Sequence, residues 1–251
     1  MVTKVRADVL LAEKGLAPSR ARAQALILAG KVFVGDRRVE KAGQVFDPAS
    51  PIEVRERDHP YVSRGGVKLG GALDAFGYDP VGKNVADFGA STGGFTDCLL
   101  QRGATRVFAI DVGYGQLHNK LRQDARVVSL ERTNARHVTR AHTSGPVDLV
   151  VIDASFIGLE KLLPAAHTVL VPGGDVLALV KPQFQVGQDQ VGKGGVVRDL
   201  EVRREAVRAL VHDAEQMGFE RVAETDSVIT GPKGNQETFI WLRRVGTVSD
   251  P

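Results

Sequence analysis

Residues 85–100 read VADFGASTGGFTDCLL: a short apolar run, a glycine-rich turn, then an apolar segment at helical spacing. That pattern predicts a strand, a loop at its carboxyl end and a helix leading back, the unit from which parallel sheets are wound. The turn itself says what it is suited to hold. A dinucleotide turn reads G-x-G-x-x-G, and its second glycine lets the backbone approach a pyrophosphate. In Gly89-Ala90-Ser91-Thr92-Gly93-Gly94 the place of that glycine is taken by Ser91, which disfavours so close an approach. No Gly-Lys-Ser/Thr follows, so the turn is not a P-loop either. The next strand, VFAIDVG, ends in Asp111 and Val112. A carboxylate at that strand end accepts both hydroxyls of a ribose. Turn and acid together suit a nucleoside cofactor without a phosphate, S-adenosylmethionine being the obvious one, with Asn134 in a later loop placed to meet the adenine. The plainer alternative is that the glycines only turn the chain and Asp111 caps a helix.

Outward from this stretch, strands and helices alternate: NVADFGA, RVFAIDVG, RVVSLE, DLVVIDAS and GGDVLALVKP are strands, and EVRREAVRALVHDAEQMG is a helix. Continuous apolar strands separated by helices predict an α/β fold whose mostly parallel sheet is covered on both faces. FERVAETDSV and ETFIWLRR, joined by TGPKGNQ, read as an antiparallel hairpin at one edge.

Residues 1–58 differ in texture and predict a small α+β domain. RADVLLAEKGL is a helix ending at Gly15; Ser19 caps a second helix, RARAQALILAG, closed by Gly30. KVFVGDRRVE forms two short strands about a Gly-Asp turn, and PIEVRE another. Residues 59–64 read as a linker and 65–251 as the larger domain, the whole proline- and glycine-rich stretch RDHPYVSRGGVKLGG serving as its lead-in.

The chain has 251 residues, is 43% hydrophobic and 25% charged, and carries a net charge of +3. Its single cysteine, Cys98, excludes a disulfide framework and a four-cysteine zinc site, and reads as core filler. No ligand cluster asks for a metal. The amino-terminal MVTKVRADVL lacks the apolar region of a secretory signal, and no apolar run approaches the ~20 residues of a membrane span. A cytoplasmic location and a monomer are the default expectations, and no membrane partner is expected.

Four polar residues stand at strand ends or in adjoining segments, where sheet-top chemistry belongs. Lys68 lies in SRGGVKL, Asp153 ends DLVVID, Lys181 follows the five apolar residues VLALV and precedes Pro182, and Glu237 opens the last strand. Methyl transfer to a weakly acidic hydroxyl needs a positioned general base. A lysine serves only when neutral, a form that burial and a second lysine favour and the two carboxylates oppose; the sequence leaves the balance open. Adenine N-methylation asks for an Asn-Pro-Pro-aromatic segment, where this chain has DASF, and thiolate-driven carbon methylation lacks its cysteine.

At these residues a resemblance becomes specific. Lys68, Asp153, Lys181 and Glu237 with DFGASTGGFT resemble the Lys-Asp-Lys-Glu tetrad of FtsJ/RrmJ-like ribose 2′-O-methyltransferases. The blocks VSRGGVKL, ASTGGFT, DVGYGQL, ERTNAR, KPQFQVG and GGVVRD, in this order, are similar to the TlyA family, which sets an S-four RNA-binding domain before that fold. The resemblance covers nearly the whole chain. It implies a Rossmann-like methyltransferase acting on cytidine 2′-hydroxyls of ribosomal RNA, with Lys181 as base and Lys68, Asp153 and Glu237 as partners. S-adenosylmethionine contacts are implied at Gly89–Phe95, namely Gly89, Ala90, Ser91, Thr92, Gly93, Gly94 and Phe95, and at Asp111, Val112 and Asn134. Phe156 is implied to stack on cofactor or target base, against plain core packing. Asp58-His59-Pro60-Tyr61-Val62 departs from the family's Arg-x-Trp-Val linker.

A basic face on the small domain supports RNA as partner. Arg6, Arg20, Arg22 and Lys41, joined by Lys31, Arg37 and Arg38, suit phosphates, as does Arg64 at the head of the larger domain. Two other readings compete. TlyA-like proteins have also been described as haemolysins, which the lack of a signal or span opposes; a ribosome-assembly factor with an inactive methyltransferase domain is opposed by the filled tetrad.

Overall fold

A computed structural model describes residues 4–35, 37–54, 59–187, 190–192, 194–231 and 233–246. The Asp36 of the expected Gly-Asp turn and the Asp58 of the expected linker lie outside the described residues. The chain falls into two compact units, residues 1–60 and 61–251.

In the first unit β1 (Val5–Arg6), α1 (Ala7–Glu13), α2 (Arg20–Leu28), β2 (Val32–Val34), β3 (Arg37–Arg38), β4 (Val45–Phe46) and β5 (Ile52–Val54) follow in order. The helices start and stop as their caps dictate: Ser19 Oγ accepts from Arg22 N–H at 3.2 Å, and Gly15 and Gly30 adopt positive φ. β2 pairs with β3 and β5, and the sequence pattern missed the two-residue pair β1–β4. Leu10, Leu11, Ile27, Val32 and Ile52 form this unit's core.

The second unit comprises α3 (Arg64–Phe76), β6 (Asn84–Phe88), α4 (Gly94–Gln101), β7 (Arg106–Ile110), α5 (Asn119–Arg122), β8 (Val127–Leu130), β9 (Val147–Ile152), α6 (Leu163–Val169), β10 (Leu170–Val180), α7 (Leu200–Gln216), β11 (Phe219–Asp226) and β12 (Thr238–Arg244). The sheet order is β11-β12-β10-β9-β6-β7-β8, with β12 antiparallel to both neighbours and the remaining pairs parallel. Side chains alternate between faces with period two. Phe88, Ile110, Ile152 and Val180 face a core completed by α6 and α7; Val85, Ala109, Val151 and Leu179 face one completed by α3 and α4.

The glycine-rich lead-in, which the sequence reading left without a secondary structure, is from Arg64 onward the helix α3, with Lys68 on its buried side. Its glycines are used for packing: a Cβ on Gly66 would lie 2.3 Å from the Tyr61 ring, and one on Gly71 2.6 Å from Val228. Tertiary contact here outweighs the ~1 kcal/mol that each glycine costs a helix.

β6 is central, and the chain leaves it toward β7 and β8 before crossing back to β9. A cleft therefore opens at the carboxyl ends of β6 and β9, where the winding reverses. Asp153 N–H donates to Phe88 O at 3.1 Å and Gly89 N–H to Ile110 O at 2.9 Å, tying the three strand ends together. A Cβ on Gly89, at φ +88°, would meet the Asp153 carbonyl at 2.9 Å, whereas Gly77, at φ +60°, faces open space. Gly77→Ala is expected to cost only about 1 kcal/mol of backbone strain. Gly89→Ala adds a backbone collision and should cost at least about twice that in urea unfolding; equal losses would show that the strand ends can part freely.

Candidate active site

The four expected side chains do come together, as two ion pairs. Lys68 Nζ bonds Glu237 Oε2, and both residues are buried. Glu237 immediately precedes β12, and a Cβ on Gly231 would lie 2.6 Å from its Oε1, so that glycine makes room for the carboxylate. Lys181 Nζ lies 2.6 Å from Asp153 Oδ1, an ion pair off the line of a hydrogen bond, and donates to Ser155 Oγ at 2.9 Å. Ser155 is a partner that sequence reasoning missed; nothing in DASF distinguishes it. Breaking a buried pair by removing one member leaves an uncompensated charge, so each pair holds both its members in place.

Lys68, Asp153 and Lys181 line a cavity of about 250 Å³ together with Gly89, Ala90, Ser91, Thr92, Gly94 and Phe95. Ser63, Arg64, Gly65, Ser155 and Thr230 complete the wall. The glycine turn and three of the four tetrad side chains therefore share one space, and Glu237 joins it only through Lys68. Arg64 Nη2 donates to Thr230 O at 3.0 Å across it. Phe95 is itself buried and stacks on Phe239.

Gly93, Asp111, Val112, Asn134 and Phe156 lie outside the cavity lining. Gly93 and Gly94 owe their lack of a side chain to protein packing: a Cβ would meet Leu121 in one case and Ser63 Oγ in the other, each at 2.2 Å. Asp111 does not cap a helix. Its Oδ2 accepts from Ser91 N–H at 2.8 Å and its Oδ1 from Gly113 N–H at 2.7 Å. Each carboxylate oxygen keeps a free acceptor site for a ribose hydroxyl, and exposed Val112 follows directly. Ser91, at φ +48°, is the residue that ties turn to acid. Asn134 is exposed and caps a short 3₁₀ turn, Oδ1 accepting from Arg136 N–H at 3.0 Å. This donor set fits S-adenosylmethionine: an acid for the ribose, no phosphate cradle, and a turn opening toward the tetrad.

Phe156 is not core. It is 90% exposed, at φ +65°, with its ring 5.2 Å from that of Phe184. At that exposure the ring is not part of the core, and Phe184 is its aromatic neighbour.

Two supporting acids escaped the sequence reading. Asp97, buried in the first turn of α4, accepts from Val62 N–H at 2.8 Å and from Lys120 Nζ at 3.2 Å, fixing the chain before α3 to the helix that follows the turn. Asp87, on β6 below the turn, is fully buried and accepts from Thr96 Oγ1 at 2.6 Å. Burial, opposed by that hydroxyl and reinforced by the Asp153 charge, pushes its carboxyl up to about 7.

In the first unit Arg6, Arg20 and Lys41 lie near one another, as described below. Arg22 lies two positions from Arg20, and residues at that spacing on a helix do not face the same way.

Known proteins bear on this arrangement directly. Residues 61–244 match the FtsJ-like methyltransferase family and residues 5–49 the S4 domain. The 16S/23S rRNA (cytidine-2′-O)-methyltransferase TlyA of Mycobacterium tuberculosis is 48% identical over 244 residues, covering 97% of this chain and 91% of its own. The chain belongs to the TlyA family. Hemolysin A of Brachyspira hyodysenteriae is 40% identical over 93% of the chain and 97% of its own length, so the TlyA family includes proteins of both names. A solved Streptococcus thermophilus structure superposes with a TM-score of 0.76 at 39% identity, covering 98% of this chain and 90% of its own. Among the described residues no helix is long and apolar enough to cross a membrane.

Asp87 gives this site a pH signature. Between about pH 4 and 7 the unfolded chain releases this proton while the folded chain keeps it, so its contribution to stability falls as pH rises through that window. Asp87→Asn keeps an acceptor for Thr96 and removes the titration. Urea unfolding of the wild type should lose up to a few kcal/mol more than the variant between pH 4.5 and 7.5; parallel pH profiles would show that Asp87 is ionised throughout.

Proposed function

We propose that the chain methylates the ribose 2′-hydroxyl of cytidine in ribosomal RNA, using S-adenosylmethionine, with Lys181 as general base. The observation that carries this reading is the Lys181–Asp153 pair, 2.6 Å apart, opening into the same cavity as the Gly89 turn. The 48%-identical Mycobacterium tuberculosis relative, a 16S/23S rRNA (cytidine-2′-O)-methyltransferase, supports the substrate.

The donor supplies an electrophilic methyl group when bound. A ribose hydroxyl is too weak an acid to attack in its protonated form without help, so its proton must leave as the oxygen reacts. In the amine form that this step requires, Lys181 accepts that proton at Nζ; Asp153 pairs with the ammonium that results, and Ser155 fixes the lysine's direction. Lys68, held by Glu237, faces the same cavity and stabilises negative charge developing on the attacking oxygen. Gly89–Phe95, Asp111, Val112 and Asn134 hold the cofactor. The exposed Phe156 ring beside Asp153 offers its face to the target base. Arg64 and the basic residues of the S4-matching unit take RNA phosphates.

The two ion pairs of the tetrad form within one chain, so the reading needs no second subunit to supply a member. A ribosomal substrate implies a cytoplasmic site of action. DNA lacks the acceptor hydroxyl and is not a substrate.

Transfer of labelled methyl to ribosomal subunits from an undermodified strain is expected for the wild type. Lys181→Ala should lower kcat at least about 100-fold while calorimetry shows cofactor binding within a few-fold of wild type. A Lys181→Ala enzyme with near wild-type kcat would remove Lys181 as base; a wild type that binds cofactor yet labels no subunit would favour a non-catalytic assembly factor.

A further inference from the structure

We propose that Asp8 is a positioning residue for RNA binding, holding Arg6 and Arg20 as one fixed guanidinium pair that grips the phosphate backbone. The proposal rests on the reading of RNA as substrate and concerns how the S4-matching unit takes hold of it.

Asp8 is an anion buried beneath a basic surface. It stands in the first turn of α1 with no solvent exposure, yet donors surround its carboxylate. Arg6 binds it as a fork, Nε to Oδ1 at 3.0 Å and Nη2 to Oδ2 at 3.1 Å. Arg20 Nη2 reaches Oδ2 at 3.2 Å and Gln24 Nε2 the same atom at 2.8 Å. Val9 N–H donates to Oδ1 at 3.0 Å. The two arginines come from different elements, β1 and the start of α2, and Arg20 and Gln24 share a helix face at i, i+4.

The arginines are anchored without being consumed. Their side chains remain 48% and 57% exposed while that of Asp8 is 0%. A guanidinium carries five N–H donors; Arg6 spends two on Asp8 and Arg20 one, and the rest are left for a ligand. The backbone adds a third cation nearby: Ala7 N–H donates to Gln44 O at 2.7 Å and Asp8 N–H to Ala42 O at 3.2 Å, bringing the turn of Lys41 alongside. A Cβ on Gly43 would stand 3.3 Å from Arg6 Nη1, so this turn flanks the guanidinium. The arginine and glutamine hydrogen bonds, Arg6 first, hold the Asp8 carboxyl far below the usual carboxylate range against its burial. The anion is thus permanent at any physiological pH.

A surface built only to attract a polyanion gains nothing from a buried negative charge, which cancels one of its cations. What the carboxylate contributes is geometry: it removes the rotamer freedom two long side chains would otherwise lose on binding. Charge and geometry therefore predict opposite outcomes when it is neutralised.

Asp8→Asn raises the net charge by one. If the arginines act only through charge, the full-length variant binds purified ribosomal subunits more tightly. If Asp8 positions them, its Kd for subunits rises roughly 10-fold and the slope of log Kd against log salt becomes shallower by about one to two contacts. Binding to heparin, a probe of charge alone, stays equal or tightens, and kcat at saturating subunits is unchanged. Arg6→Lys/Arg20→Lys keeps every charge but loses the fork; it should weaken subunit binding comparably, and adding Asp8→Asn to it should change little more. Subunit binding by Asp8→Asn as tight as wild type overturns the proposal. Should Asp8→Asn fail to protect the amides of β2 and β5 from exchange, the double lysine variant decides, and unchanged affinity there overturns it equally. A wild type that binds no subunit at all would instead overturn the RNA reading on which it rests.

Discussion

The site depends on one close approach: the backbone at Gly89 passes the Asp153 carbonyl with no room for a Cβ between them. β6 and β9 are parallel neighbours with Phe88 opposite Ile152, so their next residues leave the sheet side by side. Through that contact the loop suited to a nucleoside cofactor and the strand end bearing the Asp153 carboxylate share one cleft. Asp111 extends the arrangement by one strand, its carboxylate tying the turn at Ser91 to the loop at Gly113. The glycine turn, Asp111 and Asp153 are thus set by three adjacent strand ends, while Lys181 follows β10, Glu237 precedes β12 and Lys68 lies on α3.

Charge is handled the same way in both units. Each lysine of the cleft is held by its own carboxylate, Lys68 by Glu237 and Lys181 by Asp153. In the S4-matching unit a single buried carboxylate holds two arginines. In each case a partly desolvated anion fixes the direction of a long cation that would otherwise sample many rotamers. Asp87 is the exception, a carboxyl under the cofactor turn with Thr96 as its hydrogen-bond donor.

Much of this was legible in the sequence, because period-two apolar strands and a glycine turn are local signals. The sheet, its antiparallel edge and Asp153, Lys181 and Glu237 follow from strand ends and the residues on them, whereas Lys68 was read only as part of the segment before the first strand. Helix α3 was not legible: Gly65, Gly66, Gly70 and Gly71 argue against a helix, and only the packing of Tyr61 and Val228 onto them makes it one. Ser155, Asp97 and Asp8 were missed for a related reason, since a lone serine or aspartate carries no pattern and acquires its role from partners distant in the chain. Phe156 was ambiguous between core and surface until its exposure settled that it does not pack inside.

The central claim is that this cleft serves a ribose hydroxyl and not a base nitrogen or carbon. Nucleoside mass spectrometry of ribosomal RNA, digested after incubation of undermodified subunits with the enzyme and isotopically labelled S-adenosylmethionine, tests it directly. The account predicts the label in 2′-O-methylcytidine alone. Label in a base-methylated nucleoside would contradict it.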